Sequence, residues 1–284
     1  MTISELVHGA RARFMNAGIS ASLATLDAEV LARQVLGWDR ARFLTDRNDT
    51  ATSVFLLQYE PLVARRERRE PVSYIIGTRE FWGLPFEVGP DVLIPRPETE
   101  FIVEEALAIA GKSSSPVIID VGTGSGCIAV SLALEIPGAR VIATDVSAHA
   151  LQVARRNAQR HKVADRMSFV ETSFLDGIED VADIIVSNPP YVPSVAQPAL
   201  TPEVRDYEPP VAVFAGEDGL DALRSVVEGA VGRLTPGGWL VMEFGCGQDD
   251  CVTALVDGID GIEVVRIRRD LQDIPRTAVC RRSA

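Results

Sequence analysis

Between positions 3 and 69 the apolar residues fall at helical spacing. Leu23, Leu26, Val30, Leu31 and Val35 form one such stripe, broken by turn candidates at Gly18 and Gly37. The pattern predicts a small helical bundle with hardly a strand in it. Pro71 closes it after the run Arg65-Arg66-Glu67-Arg68-Arg69-Glu70, because proline lacks a backbone donor and restricts its predecessor. From 72 to 92 the pattern changes to short β-prone pieces at 74–76, 80–82 and 86–88, separated by Gly77, Gly83 and Pro85. They read as a hairpin connector, and the domain boundary falls there. Beyond Asp91 a helix is expected over 98–110, followed by apolar runs at 117–121, 141–145, 168–171, 184–187 and 240–244 with helical stretches between several of them. Strands alternating with helices predict a mostly parallel, doubly wound α/β sheet. The last pieces, 263–267 and 277–280, are joined by a short Gln/Asp/Pro loop and predict an antiparallel closing hairpin at one side of it.

Composition narrows the partners. At 284 residues the chain has room for one large domain and a small one, and 46% hydrophobic residues are enough to bury two cores. Lys and Arg number 28 against 40 Asp and Glu, a formal charge of −12, so the molecule as a whole repels a phosphate backbone. The dense run at 65–70 reads as a solvated helix end, or else as a contact for an acidic partner surface or RNA. Cys127, Cys246, Cys251 and Cys280 make no CxxC pair and read as reduced core thiols. His8, His149 and His161 show no metal-ligand spacing, so no metal is implied. The N-terminal residues are polar instead of an apolar signal run, and no stretch reaches the ~18 consecutive apolar residues that span a bilayer. A cytoplasmic protein without membrane contact is expected.

Three segments carry chemistry. The apolar strand holding Asp120 runs into Gly122, Thr123, Gly124, Ser125 and Gly126 and then a helix. Glycines there let backbone approach a ligand at the carboxyl end of a strand. A dinucleotide fingerprint would want a small third residue where Cys127 stands, whereas Asp120-x-Gly122-x-Gly124-x-Gly126 fits an S-adenosylmethionine loop. Asp145 ends the next strand about twenty residues on, placed to accept from ribose hydroxyls. Its plainer reading is an N-cap for the helix beginning near Ser147. Finally, Ile184-Ile185-Val186-Ser187 ends in Asn188-Pro189-Pro190-Tyr191. Prolines after a strand can simply make a turn. The chemistry also suits a planar NH₂ group: the Asn188 side-chain oxygen and the Pro189 carbonyl accept its two N–H bonds. Its nitrogen can then be aimed at a sulfonium methyl without a strong base, while Tyr191 packs against the amide plane and the cationic donor.

These residues resemble the N5-glutamine methyltransferases that modify peptide-chain release factors. The resemblance covers nearly the whole chain: REPVSYIIG at 69–77, FWGLPFEV at 81–88, IPRPETE at 94–100, DVGTGSG at 120–126, NPPY at 188–191, YEPPVAVFAGEDGL at 207–220 and DLQDIPR at 270–276. NPPY alone is shared with adenine-N6 enzymes, and IPRPETE beside it looks like the release-factor branch. The resemblance implies a helical substrate-recognition domain at 1–72, a β-hairpin linker at 73–90 and a Rossmann-like class I methyltransferase domain at 91–284. It implies S-adenosylmethionine, leaving as S-adenosylhomocysteine, on Asp120, Gly122 to Gly126, Asp145, Ser173, Phe174 and Asn188. It implies the glutamine of a GGQ loop on Asn188, Pro189, Pro190 and Tyr191. Where relatives carry Trp-Phe near the adenine this chain has Ser173-Phe174, so Ser173 cannot stack and Phe174 takes over part of that role. Phe81 and residues 96–100 are expected at the cofactor or substrate entrance, unless Pro95 and Pro97 merely set a helix N-terminus. The implied partner is a release factor, with no DNA binding and a monomeric enzyme. Two other readings remain: an adenine-N6 nucleic-acid methyltransferase, which the acidic charge opposes, and a non-catalytic cofactor-binding protein, which the intact Asn188 to Tyr191 opposes.

Overall fold

The computed structural model describes residues 1–111 and 115–284. Along the chain run α1 (Ile3–Asn16), α2 (Ala21–Leu36), α3 (Arg40–Asp46), α4 (Ser53–Glu67), α5 (Val72–Ile76), β1 (Thr78–Phe81), β2 (Leu84–Glu87), α6 (Glu100–Ala110), β3 (Val117–Val121), α7 (Cys127–Glu135), β4 (Arg140–Asp145) and α8 (Ala148–Arg160). Then follow β5 (Met167–Glu171), β6 (Ala182–Ser187), α9 (Pro202–Tyr207), α10 (Asp221–Arg233), β7 (Leu234–Glu243), α11 (Asp249–Asp257), β8 (Ile262–Arg269) and β9 (Pro275–Arg282). They form two units. One comprises Met1–Thr78 together with Thr201–Tyr207; the other comprises Arg79–Leu200 and Glu208–Ala284.

The first unit is all-helical. A capping box starts α1, with Thr2 accepting from the Glu5 N–H and Glu5 accepting from the Thr2 N–H, and Gly37 ends α2 at φ 62°. Phe14, Leu31, Phe43, Phe55, Tyr59 and Val63 fill the core, and the buried Tyr59 hydroxyl donates to the Ala28 carbonyl at 3.0 Å. The charged run at 65–70 is not a solvated helix end. Arg66 is buried, with Nε on Asp27 at 2.7 Å and Nη1 on Glu203 at 2.8 Å. Arg69 grips both oxygens of Glu203, Arg65 pairs with Glu70, and Glu67 pairs with Arg13. Burial raises the Asp27 carboxyl in spite of Arg66, whereas for Glu203 the two guanidiniums outweigh burial and lower it. The Tyr207 hydroxyl donates to the Arg68 carbonyl at 2.6 Å, so α9 is stitched to the end of α4.

Residues 74–76, expected as a strand, belong to helix α5. Pro71 sits at its N-cap and Gly77, at φ 73°, ends it. The β-branched side chains Ile75 and Ile76 pack on the helical core, and that burial overrides their local preference. The hairpin β1–β2 does form. Its two-residue turn, Trp82-Gly83, has both φ positive at 54° and 68°, which matches the strand twist.

In the second unit seven strands make one sheet in the order β5-β4-β3-β6-β7-β9-β8, parallel except for β9, which runs antiparallel to both neighbours. The buried runs split by parity. Ile118, Ile184 and Val186 face one core with α6 and α7; Ile119, Ile185 and Met242 face the other with α10 and α11. β7 begins at Leu234, six residues before the expected run, through an irregularity where Ala182 and Ile184 meet it. The helix expected over 98–110 begins as a 3₁₀ turn, Pro97–Thr99, before α6. Strand order reverses between β4-β3 and β3-β6, so loops leaving β3 and β6 part at their carboxyl ends and open a crevice.

Candidate active site

Four neighbouring parallel strands end in polar residues. Asp120 lies on β3, Asp145 ends β4, Asn188 follows β6 and Glu243 ends β7. Asp120 is fully buried. One of its carboxylate oxygens accepts from the Thr123 hydroxyl at 2.6 Å, the other has no partner, and burial pushes the carboxyl up to about 7. The loop turns through Gly122, Gly124 and Gly126 at φ 71°, 55° and 80°. Gly126 is also a packing requirement, since a Cβ there would stand 3.1 Å from that of Ala154. Asp145 accepts from the Gly124 N–H and from the Ser147 N–H, both at 2.9 Å, and burial raises it. The N-cap of α8 is Ser147, not Asp145, so the carboxylate is held across the mouth of the glycine loop.

A cavity of about 260 Å³ opens at these strand ends. Gly122, Thr123, Gly124, Ser125, Asp145, Ser173, Phe174, Asn188 and Pro190 line it. Its walls are mostly apolar, with the polar groups concentrated at the strand ends. Phe174 is fixed in the left-handed region, φ 49°, and its carbonyl accepts from the Thr144 hydroxyl at 2.9 Å. Four expected site residues stand outside the lining: Asp120, Gly126, Pro189 and Tyr191. Asp120 reaches the loop through Thr123. Tyr191 turns away from the cavity into the second core, where its hydroxyl donates to Glu243 at 3.1 Å and its carbonyl accepts from Gln248 at 3.1 Å.

Asn188 is held from behind. Its Nδ2 donates to Thr99 Oγ1 at 2.9 Å, and the Thr99 hydroxyl donates to Glu243 Oε2 at 2.7 Å. Thr99 and Glu243 are buried, and burial pushes the Glu243 carboxyl up to about 7 against the opposing bonds from Thr99 and Tyr191. Burial, then the Glu243 charge, raises the Tyr191 hydroxyl, which therefore stays protonated. Neither Thr99 nor Glu243 was singled out from sequence. Glu243 had a signal, an acid closing the apolar run Leu240-Val241-Met242, and Thr99 lay inside IPRPETE. Pro209, Val211 and Ala212 also line the cavity. Phe81 does not; it is buried in the first core. Of residues 96–100 only Thr99 reaches the lining, while Arg96 pairs with the buried Glu208 at 2.6 Å.

Cys127 and Cys280 are core thiols, raised by burial to about 12, but Cys246 and Cys251 are exposed, against expectation. Among the described residues no His, Cys, Asp or Glu cluster suits a metal, and no helix is long and apolar enough to cross a membrane.

Residues 5–77 match the PrmC N-terminal domain and residues 99–203 the Methyltransferase small domain. A release factor glutamine methyltransferase of Geobacter sulfurreducens is 46% identical over 233 residues, 82% of this chain and 81% of that protein. The chain belongs to the release factor glutamine methyltransferase family. Another member, from Cereibacter sphaeroides, is 39% identical over 281 residues and spans 99% of both chains. Among solved structures, the hMettl16 catalytic domain in complex with MAT2A 3'UTR hairpin 6 superposes with a TM-score of 0.57 at 18% identity, covering 78% of this chain and 82% of that one. That likeness shows the class I methyltransferase fold, which this family member shares.

Proposed function

We propose that the protein transfers a methyl group from S-adenosylmethionine to the side-chain amide nitrogen of the glutamine in the GGQ motif of a peptide chain release factor. One observation carries the reading: a single cavity is lined both by the glycine loop after β3 and by Asn188 after β6. Bound there, S-adenosylmethionine supplies an electrophilic methyl on a sulfonium sulfur, and S-adenosylhomocysteine leaves. The residues fit that group. The partnerless oxygen of buried Asp120 favours a cation, Asp145 retains lone pairs for ribose hydroxyls, and Phe174 offers the apolar wall that Ser173 lacks.

The Asn188 side-chain oxygen and the Pro189 carbonyl accept the two N–H bonds of the glutamine amide, directing its nitrogen toward the methyl carbon. Held by these two acceptors, the amide nitrogen would take the methyl that S-adenosylmethionine would supply, and would give up one of its two protons to solvent. An amide nitrogen is a poor nucleophile, so orientation and the electrostatics of these two acceptors do the work instead of a base. The helical unit, Met1–Thr78 with Thr201–Tyr207, serves as the recognition domain, and the sheet-bearing unit as the methyltransferase domain. A net charge of −12 supports a protein substrate over DNA, and the enzyme acts as a metal-free monomer in the cytoplasm.

Mass spectrometry of a purified release factor, incubated with this protein and S-adenosylmethionine, tests the reading. One added methyl on the GGQ glutamine is expected. Label on adenine in DNA or RNA with that peptide unmodified, or no acceptor at all, would overturn it.

A further inference from the structure

We infer that Thr99 and Glu243 are positioning residues for methyl transfer: together they fix which end of the Asn188 amide faces the substrate. The inference rests on the reading of Asn188 as acceptor for the glutamine amide. The two ends of an asparagine amide have nearly the same shape and opposite hydrogen-bonding sense, one accepting and one donating. Turned over, Asn188 would present two N–H groups to an NH₂ group, and the substrate amide would be repelled instead of held. Something must choose the end.

The choice is made by a one-way chain of hydrogen bonds. An ionised Glu243 carboxylate can only accept. Its Oε2 lies 2.7 Å from Thr99 Oγ1, so the single hydroxyl proton of Thr99 is committed to it. Thr99 then offers only lone pairs on its other side, and the Asn188 group 2.9 Å away must be the donor, Nδ2. The oxygen of Asn188 is thereby released from the protein side. Water cannot replace the relay, because Thr99 is 2% and Glu243 1% exposed. The second carboxylate oxygen takes the Tyr191 hydroxyl, so one buried acid sets both ends of the Asn188 to Tyr191 turn. Of the two relay residues, only Thr99 lines the cavity, and Glu243 acts through it.

A double-mutant cycle on the full-length protein, with S-adenosylmethionine and a purified release factor, decides the matter. Assays are run at about pH 8.5, where a buried carboxyl titrating near 7 is ionised. Thr99→Val keeps the shape and removes the relay. Its kcat is expected to fall about 10- to 100-fold while the dissociation constant for S-adenosylmethionine moves less than about threefold. Thr99→Ser, which restores a hydroxyl, is expected to recover most of that loss. In an Asn188→Ala background Thr99→Val should cost less than about twofold more, because the residue it acts through is already gone. Equal losses in both backgrounds would mean a merely structural role and overturn the inference, as would near-wild-type kcat in Thr99→Val. If Thr99→Val does not fold, Thr99→Ala enters the same cycle under the same criteria. A wild-type protein that methylates no glutamine overturns the functional reading itself, and this inference with it.

Discussion

Asp120 holds a buried carboxylate oxygen with nothing bonded to it, directly beneath the glycine loop. Such a group costs stability and is retained where a ligand uses it. Its carboxyl is pushed up to about 7 from an unfolded value of about 4, so folding favours the protonated form. The sign follows: stability is greatest below about pH 4, is lost as pH rises toward 7, and stays lost above. Asp120→Asn, neutral throughout, should therefore gain on the wild type across that window by on the order of a few degrees in Tm, read by calorimetry from pH 4.5 to 8 without cofactor. The same variant should bind S-adenosylmethionine more weakly, and a pH-independent difference in Tm would refute the assignment. Asn188→Ala should lose about 100-fold or more in kcat with only a modest loss of cofactor affinity, checked by single-turnover kinetics and calorimetric binding. Asp120, Asp145 and Asn188 were legible because each closes an apolar run and is followed by glycines, a helix start or prolines. Glu243 closes a run in the same way but lacks such a flag, and Thr99 was masked by looking like part of a helix start. Hydrogen bonds between residues 144 apart leave no local trace.

Elements were legible where burial and local preference agree. The near-continuous apolar runs of β3, β6 and β7 are what a sheet covered on both faces requires, and their alternate residues do divide between two cores. They disagree at α5, where a Pro71 start and a Gly77 stop enclose five residues of strand-like composition. In the segment after Tyr207 the reason for one glycine emerges only from packing. Gly219 has φ 79°, and a Cβ there would come within 2.5 Å of the Tyr191 carbonyl and 3.0 Å of the Gln248 amide. Gly219→Ala should cost about 1–3 kcal/mol in denaturant unfolding and lower kcat by displacing the Asn188 to Tyr191 turn. Wild-type unfolding of that variant would show the loop to be more yielding than its contacts imply.

At the scale of the whole molecule, the helical unit is not a contiguous stretch of sequence. Its charged centre joins Arg66 to Asp27, 39 residues away, and to Glu203, 137 residues away. Read locally, 65–70 is a solvated helix end or a contact for an acidic partner surface or RNA, because the carboxylate partners of Arg66 lie far off in the sequence. Glu203→Ala leaves Arg69 and one edge of the buried Arg66 unpaired, and should destabilise the helical unit by about 2–3 kcal/mol, less than a fully buried pair because Glu203 is partly exposed. Hydrogen exchange in α4 should report the loss, and unaltered protection there would place its stability elsewhere. The excursion of residues 201–207 also sets a timetable for synthesis. Helices α1 to α5 leave the ribosome with Arg66 able to meet Asp27 but with its second carboxylate, and the one that Arg69 grips, encoded well over a hundred codons later. At ordinary elongation speeds that delay is on the order of ten seconds. The first unit to emerge thus cannot be finished until most of the second has been made, and until Glu203 arrives a nascent chain holds Arg66 on Asp27 alone and leaves Arg69 without the carboxylate it grips, open to whatever acidic surface it meets.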